Sequence, residues 1–272
     1  MRELKWISDS NLSLSSIRRR LRENNIRKWK AAERARLNPS HVAKRFQWAK
    51  DRLHWPIDQW RGCIFSDECS VEKGVDPRQV WVFRRPGERE KFLPKNVVPK
   101  NKGKGVSLMV WGCFAGDIKG PLVSFDGVNT AVTYIDTLRQ HLVPFIDFLS
   151  QELPQELVND IIYQQDNASI HTAKGTMNWF KEVGITVMER PPNSPDMNPI
   201  EHIWRALKAA LYARFPDTVA IRGGPDTVRK ELNRRLQIVW DDLGPEVFDK
   251  LIVSMRRRVA ALYNVKGWYT RY

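Results

Sequence analysis

Residues 160–166, DIIYQQD, form a short apolar run that ends in an acid and reads as a strand. Residues 63–67, CIFSD, repeat the pattern earlier in the chain. Outward from this pair, residues 80–83 (VWVF), 106–114 (VSLMVWGCF) and 185–189 (ITVME) read as further strands, and the turn AGDIKG follows the second of these. Residues 131–150 keep a helical period through Ile135, Leu138, Leu142 and Phe145, with a kink expected at Pro144. Residues 172–183 look helical. The loop PPNSPDMNP at 191–199 is too rich in proline and asparagine for regular structure. A helix starts near Pro199, and two more follow at about 226–239 and 245–262. Strands with an antiparallel start and later crossover helices predict a mixed α/β sheet covered on both faces.

The N-terminal segment is different in kind. Residues 12–24, LSLSSIRRRLREN, read as a basic helix that Ser13, Ser15 or Ser16 can cap. Residues 39–52, PSHVAKRFQWAKDR, read as a second helix with Val42, Phe46 and Ala49 as its apolar stripe. Two short basic helices joined by a basic loop suit either part of a helix-turn-helix module or a solvated amphipathic arm. A basic loop at 95–105, KNVVPKNKGKG, reads as a projecting hairpin or clamp.

The chain of 272 residues carries a net charge of +14, unevenly spread. Residues 1–62 hold 16 Lys/Arg against 6 Asp/Glu, residues 202–272 hold 14 against 7, and residues 63–201 hold 15 against 18. Basic flanks point to a polyanionic partner, and an acidic centre between them suits carboxylates that hold a divalent metal beside phosphate. A mean hydropathy of -0.49 leaves room for a core, and no apolar run is long enough to cross a membrane. The start lacks the apolar stretch of a signal peptide. Cys63, Cys69 and Cys113, odd in number and without a CxxC pair, read as reduced core residues rather than as a disulfide framework or a zinc site.

Three acids stand where α/β folds place their sites: Asp67 and Asp166 at the ends of apolar strands, and Glu201 at the start of a helix behind the proline-locked loop. Oxygen ligands from separate elements suit magnesium or manganese, and two such ions can activate the attacking oxygen and stabilise the leaving oxygen in phosphodiester transfer. On that reading the three carboxylates converge to within roughly 4–6 Å. Each also has a plainer reading. Asp67 and Asp166 suit Asx turns. Glu201 suits the capping-box partner of Asn198, with Pro199 at the first helical position.

The words around these acids resemble the Tc/mariner superfamily of transposases. The matching stretches are IFSDECSVE around Asp67, MVWGCFAGDIKGPL at 109–122, YQQDNASIHTAK around Asp166 and RPPNSPDMNPIEHIWRALK around Glu201. Between Asp166 and Glu201 lie 34 residues, the spacing of the branch whose third acid is Glu. The resemblance runs from about Leu12 to the closing VSMRRRVAALYNVKGWYTRY. It implies a ribonuclease-H-like fold, with residues 57–272 as catalytic domain and residues 1–56 as a partial helix-turn-helix arm and linker. It implies Asp67, Asp166 and Glu201 as catalytic ligands of Mg2+, for which Mn2+ can substitute. Water then hydrolyses a strand at the transposon end, and the freed 3′-OH attacks target DNA, with no covalent enzyme intermediate. The implied partners are double-stranded DNA and a second copy of the chain, and the implied location is the nucleus.

Arg18, Arg19, Arg20, Arg22, Arg27, Lys28 and Lys30 are the expected phosphate contacts of the arm. Family members carry two helix-turn-helix units; the sixty or so residues before Asp67 resemble only the second. Glu68 is expected on the opposite face of its strand from Asp67, and not as a ligand. His171 suits a contact to phosphate, the orientation of a water or a bond to a loop carbonyl. His202 is turned away from Glu201, and Trp111 and Trp204 read as core. Two rival functions stay open: a transposase-derived DNA-binding protein without transposition activity, and a metal nuclease that cuts without strand transfer.

Overall fold

The computed structural model describes residues 13–23, 36–73, 105–125, 130–158 and 161–272. By its internal contacts the chain divides into two units, Met1–Arg36 and Leu37–Tyr272. In the first, helix α1 spans Leu14–Glu23 and starts at Ser13, whose Oγ accepts the Ser16 N–H at 3.1 Å. The expected strand at 80–83 and residues 95–104 of the expected clamp lie outside the described residues.

The second unit opens with α2 (Pro39–Arg52), capped by Asn38, whose Oδ1 accepts the His41 N–H at 2.8 Å. After the short α3 (Ile57–Arg61) come the strands β1 (Cys63–Glu72), β2 (Ser107–Ala115) and β3 (Ile118–Phe125). Helix α4 (Ala131–Thr137) runs through a π turn at Leu138–Leu142 into α5 (Val143–Glu152), with the short α6 (Gln155–Val158) beyond. Strand β4 (Ile162–Gln164) and helices α7 (Lys174–Glu182), α8 (Ile200–Arg214), α9 (Pro225–Asp241) and α10 (Pro245–Asn264) follow.

The sheet order is β3-β2-β1-β4, antiparallel except for the parallel pair β1 and β4. β1 is central, so alternate side chains enter two separate cores. Phe65, Cys69 and Val71 face a core built from α8, α9 and α10, while Ile64 faces one built from Tyr134, Leu138, Leu142, Trp179 and Phe180. Three layers follow, with helices on both faces of a mixed sheet, as expected. The three cysteines are free and buried, and Trp111 and Trp204 are core residues.

Several elements differ from the sequence reading. β1 does not end at Asp67 but continues to Glu72, so the acid is mid-strand. Strand β3 begins at Ile118, inside the expected AGDIKG turn, and was not expected. Its residues include Gly120 and Pro121, which read as breakers, yet β3 is an edge strand and tolerates a proline. The expected strand at 185–189 shrinks to a single bridge, Val187 beside Tyr163. The helix at 131–150 changes register before Pro144: the Val143 N–H bonds the Leu138 carbonyl, a π step just ahead of a residue with no N–H to donate.

Candidate active site

Asp67 stands opposite Gly112 of β2 in the antiparallel register. A Cβ on Gly112 would lie 2.9 Å from the Trp204 ring, so the missing side chain is what lets α8 sit close to the sheet beside Asp67. The Asp67 carboxylate is held at both oxygens. Oδ1 accepts the Glu68 N–H at 2.9 Å, and Oδ2 accepts the Asn198 side-chain amide at 3.2 Å. Asn198 is fully buried and also donates to the Ser66 carbonyl at 3.2 Å, which ties the proline loop to β1. Desolvation pushes the Asp67 carboxyl up to about 7; Arg190 opposes the rise, and the charges of Glu201 and Glu68 add to it.

Asp166 follows β4, and β4 runs parallel to β1, so the topology brings the first two acids to neighbouring strands. Its Oδ1 accepts the Ala168 N–H at 2.8 Å, the Asx turn of the plainer reading, and also meets His171 Nδ1 at 2.5 Å. The other ring nitrogen of His171 lies 3.2 Å from Glu68 Oε1. Glu68 therefore does lie across the sheet from Asp67, as alternation requires, yet it reaches Asp166 through an imidazole. Burial opposes the charge on His171, but the two carboxylates outweigh it and push the pKa up to about 9. The His171 hydrogen bond in turn holds Asp166 below the usual carboxylate range. Behind His171, the Tyr134 ring packs at a tilt with the centroids 4.2 Å apart, and the Tyr134 hydroxyl donates to Gln165 Oε1 at 2.8 Å. Gln165 donates to the His171 carbonyl at 3.2 Å and so closes the loop.

Glu201 is in the first turn of α8, where the partial positive charge of the helix start favours an acid. The capping-box reading is corrected here. Pro199 is itself the N-cap, no side chain caps the helix, and the Asn198 amide is engaged with Ser66 and Asp67 instead. The loop before Glu201 is fixed by a buried ion pair. The Arg45 guanidinium meets Asp196 at 2.9 and 2.7 Å and also donates to Ser194 Oγ at 2.7 Å. It reaches the Gly267 and Trp268 carbonyls at 2.9 and 3.2 Å as well. Arg258 donates to the Asp196 carbonyl and Thr270 to its carboxylate, both at 2.8 Å. His202 faces Arg258 at 3.2 Å, away from Glu201, and desolvation pulls its pKa down to about 4.

A half-buried cation, Arg190, interacts electrostatically with Asp67, Asp166 and Glu201 together. Its Nη2 donates to the Ser194 carbonyl at 3.0 Å, and its own carbonyl accepts from the Asn167 side chain at 3.0 Å. All three acids are thus electrostatically coupled to one guanidinium. Among the described residues, no three His, Cys, Asp or Glu side chains are gathered closely enough to hold a metal ion. The expected convergence of the three carboxylates is corrected to that extent. The donor chemistry still fits a hard cation, because all three groups are carboxylates from separate elements and the charge of Glu201 opposes ionisation of Asp67.

Asn198, Arg190 and the Glu68–His171 link were missed by sequence reasoning. The NP step before α8 and the histidine five residues after Asp166 were the available signals. In the arm, Arg19 and Arg20 are exposed on α1, and Arg19 lies 3.6 Å from Glu23. Arg27, Lys28, Lys30 and the side chains of Arg18 and Arg22 lie outside the described residues.

The pattern of the DDE superfamily endonuclease matches residues 63–221, and a helix-turn-helix pattern described as transposase matches residues 1–54. The chain is 31% identical over 261 residues to the transposable element Tcb1 transposase of Caenorhabditis briggsae, covering 96% of this chain and 88% of the relative. It is 29% identical over 261 residues to the Tc1 transposase of Caenorhabditis elegans, with the same coverage. Among solved structures, the Mos1 transposase paired-end complex with left transposon end matches with a TM-score of 0.74 at 16% identity, over 99% of this chain and 78% of that one. The catalytic domain of Mos1 mariner transposase matches with a TM-score of 0.56 at 15% identity, over 88% of this chain and all of that one. The mixed sheet with flanking helices is therefore the ribonuclease-H-like fold of that catalytic domain. With the pattern of one endonuclease superfamily spanning both strand acids and Glu201, the chain belongs to the DDE transposases of the Tc/mariner superfamily.

Proposed function

We propose that this chain carries out cut-and-paste DNA transposition, with Asp67, Asp166 and Glu201 as the ligands of its divalent ions. The observation that carries the reading is the clamping of the two strand acids by dedicated partners, Asn198 on Asp67 and His171 on Asp166, beside a helix with Glu201 in its first turn. Magnesium, or manganese in its place, would supply charge neutralisation at the attacking and leaving oxygens of a phosphodiester. The remaining work belongs to the chain. Asn198 fixes the rotamer of Asp67, so its carboxylate is oriented before substrate arrives. The charged imidazole of His171, braced by Glu68, keeps Asp166 ionised and aimed. The Arg45–Asp196 lock sets the loop that delivers Glu201. No thiol competes as nucleophile: burial pushes Cys63 up to about 12 and also raises Cys69 and Cys113.

The division into a DNA-binding arm and linker at 1–56 and a catalytic domain at 57–272 belongs to the same proposal. So do a homodimer that pairs two DNA ends and a place of action in the nucleus. Among the described residues, no helix is long and apolar enough to cross a membrane. The relatives are transposable-element transposases, and one neighbouring structure is a Mos1 strand transfer complex. The test is a magnesium-dependent nicking and strand-transfer assay on pre-cut element ends, comparing the wild type with Asp166→Ala. Joined products from the wild type alone support the proposal. Cut but unjoined ends would favour a simple nuclease. DNA binding with no cutting at all would favour a catalytically silent derivative.

A further inference from the structure

A cleft of about 400 Å³ opens between α2 and the segment 189–192, next to Asp166. Lys44, Gln47, Trp48 and Arg52 line it on the α2 side, and Asn167 and Arg190 line it on the other. Each of the two lining arginines also carries a buried guanidinium nitrogen without a hydrogen-bond partner among the described residues, Nε of Arg52 and Nη1 of Arg190. Buried donors are almost always satisfied, so two orphans at one polar cleft call for an acceptor. Both cations are also built in rather than free to swing. Arg52 lies over the Trp48 and Trp55 rings at 4.6 and 5.0 Å, and Trp48 is anchored by its Nε1 to the Glu189 carbonyl at 2.8 Å. Arg190 is held through Ser194 and through Asn167, the neighbour of Asp166. The acids at the rim, Asp51 and Glu189, are both exposed, and Asp51 already accepts from Gln47 at 2.6 Å.

We infer that this cleft is a DNA subsite. It takes a backbone phosphodiester one or two nucleotides from the bond being cut, with the forks of Arg52 and Arg190 as its donors. Guanidinium groups match phosphate oxygens in geometry and stay charged under partial burial. The position beside Asp166 places the gripped phosphate next to the cutting centre, so the subsite would set which bond enters it. The inference rests on the reading of the three acids as a DNA-cutting centre, but the cleft is tested separately.

The experiment measures binding of a short duplex of arbitrary sequence across a salt series, with calcium present, for the wild type, Arg52→Gln, Arg190→Gln and Arg190→Lys. Removing one phosphate contact lowers the slope of log affinity against log salt by about one. We expect that loss in both glutamine variants, with the slope kept in Arg190→Lys but affinity reduced, because lysine keeps the charge and loses the fork. Arg139→Gln, an exposed change on the far helical layer, is expected to leave both unchanged. Melting curves report folding, and if Arg190→Gln does not fold, Arg52→Gln and Arg190→Lys decide. Unchanged slopes in folded Arg52→Gln and Arg190→Gln overturn the inference even when the wild type nicks DNA. Reduced slopes with a wild type that never nicks uphold the subsite and remove the cutting reading. Inorganic phosphate that competes as well as DNA would also overturn it, by making the cleft a site for free anions.

Discussion

At Asp67 the fold and the chemistry pull in opposite directions. The carboxyl is raised to about 7 by desolvation and by neighbouring acids, whereas an exposed aspartate ionises near 3.8. The folded state therefore holds this proton more tightly than the unfolded chain, so stability falls as pH rises from about 4 to about 7. Asp67→Asn removes that penalty. In metal-free buffer it is expected to match the wild type near pH 4 and to melt higher at pH 8, by on the order of a few kcal/mol. It is also expected to abolish nicking, and a melting series across pH checks the first half. Glu201→Gln separates cutting from folding in another way. No cap is lost, because Glu201 caps nothing, so melting and DNA binding should stay near wild type. Nicking and strand transfer should fall at least about a hundredfold, a transition-state loss of about 3 kcal/mol. A variant that nicks normally would remove Glu201 from the centre. The three acids were singled out by their local words and spacing. Asn198 and Arg190 were not, because their roles depend on contacts across the chain: Asn198 meets Asp67 131 residues away, and Arg190 matters only through the acids coupled to it.

Among the elements, the loop 191–199 shows how irregular backbone is made rigid. Asp196 receives Arg45, and Thr270 and Arg258 bond the same residue. Asp196→Ala strands a buried guanidinium and is expected to cost about 3–5 kcal/mol, read by chemical denaturation. Gly112→Ala tests the contact between sheet and helix. Its Cβ meets Trp204, one turn beyond Glu201 on α8, so overpacking of about 1–3 kcal/mol should appear together with a drop in nicking. The helices were readable because their caps and apolar periods are local. The sheet was readable at its centre, where both faces are apolar. It was not readable at its margins: β3 carries a Gly-Pro pair that only its edge position permits, and residues 185–189 lack a second partner strand. The stripe of α2 was half right, for Ala49 is buried but so is Arg45, which no hydrophobic pattern selects.

For the whole molecule, charge sets how DNA is met. Replacing Arg18, Arg19, Arg20 and Arg22 together by glutamine should weaken binding to all duplexes alike and flatten its salt dependence, while a melt of the catalytic body stays unchanged. An unchanged salt slope would mark the arm as a solvated face. The clasp between α2 and residues 267–270 has a different consequence, one of reach. Arg45 bonds the carbonyls of Gly267 and Trp268, the Leu37 N–H donates to the Tyr269 hydroxyl, and Thr270 reaches Asp196. The seat of Glu201 is thus tied to segments on either side of it that lie far apart in sequence. Loss of the contacts made by 267–270 therefore loosens the loop ahead of Glu201 without touching any of the three acids.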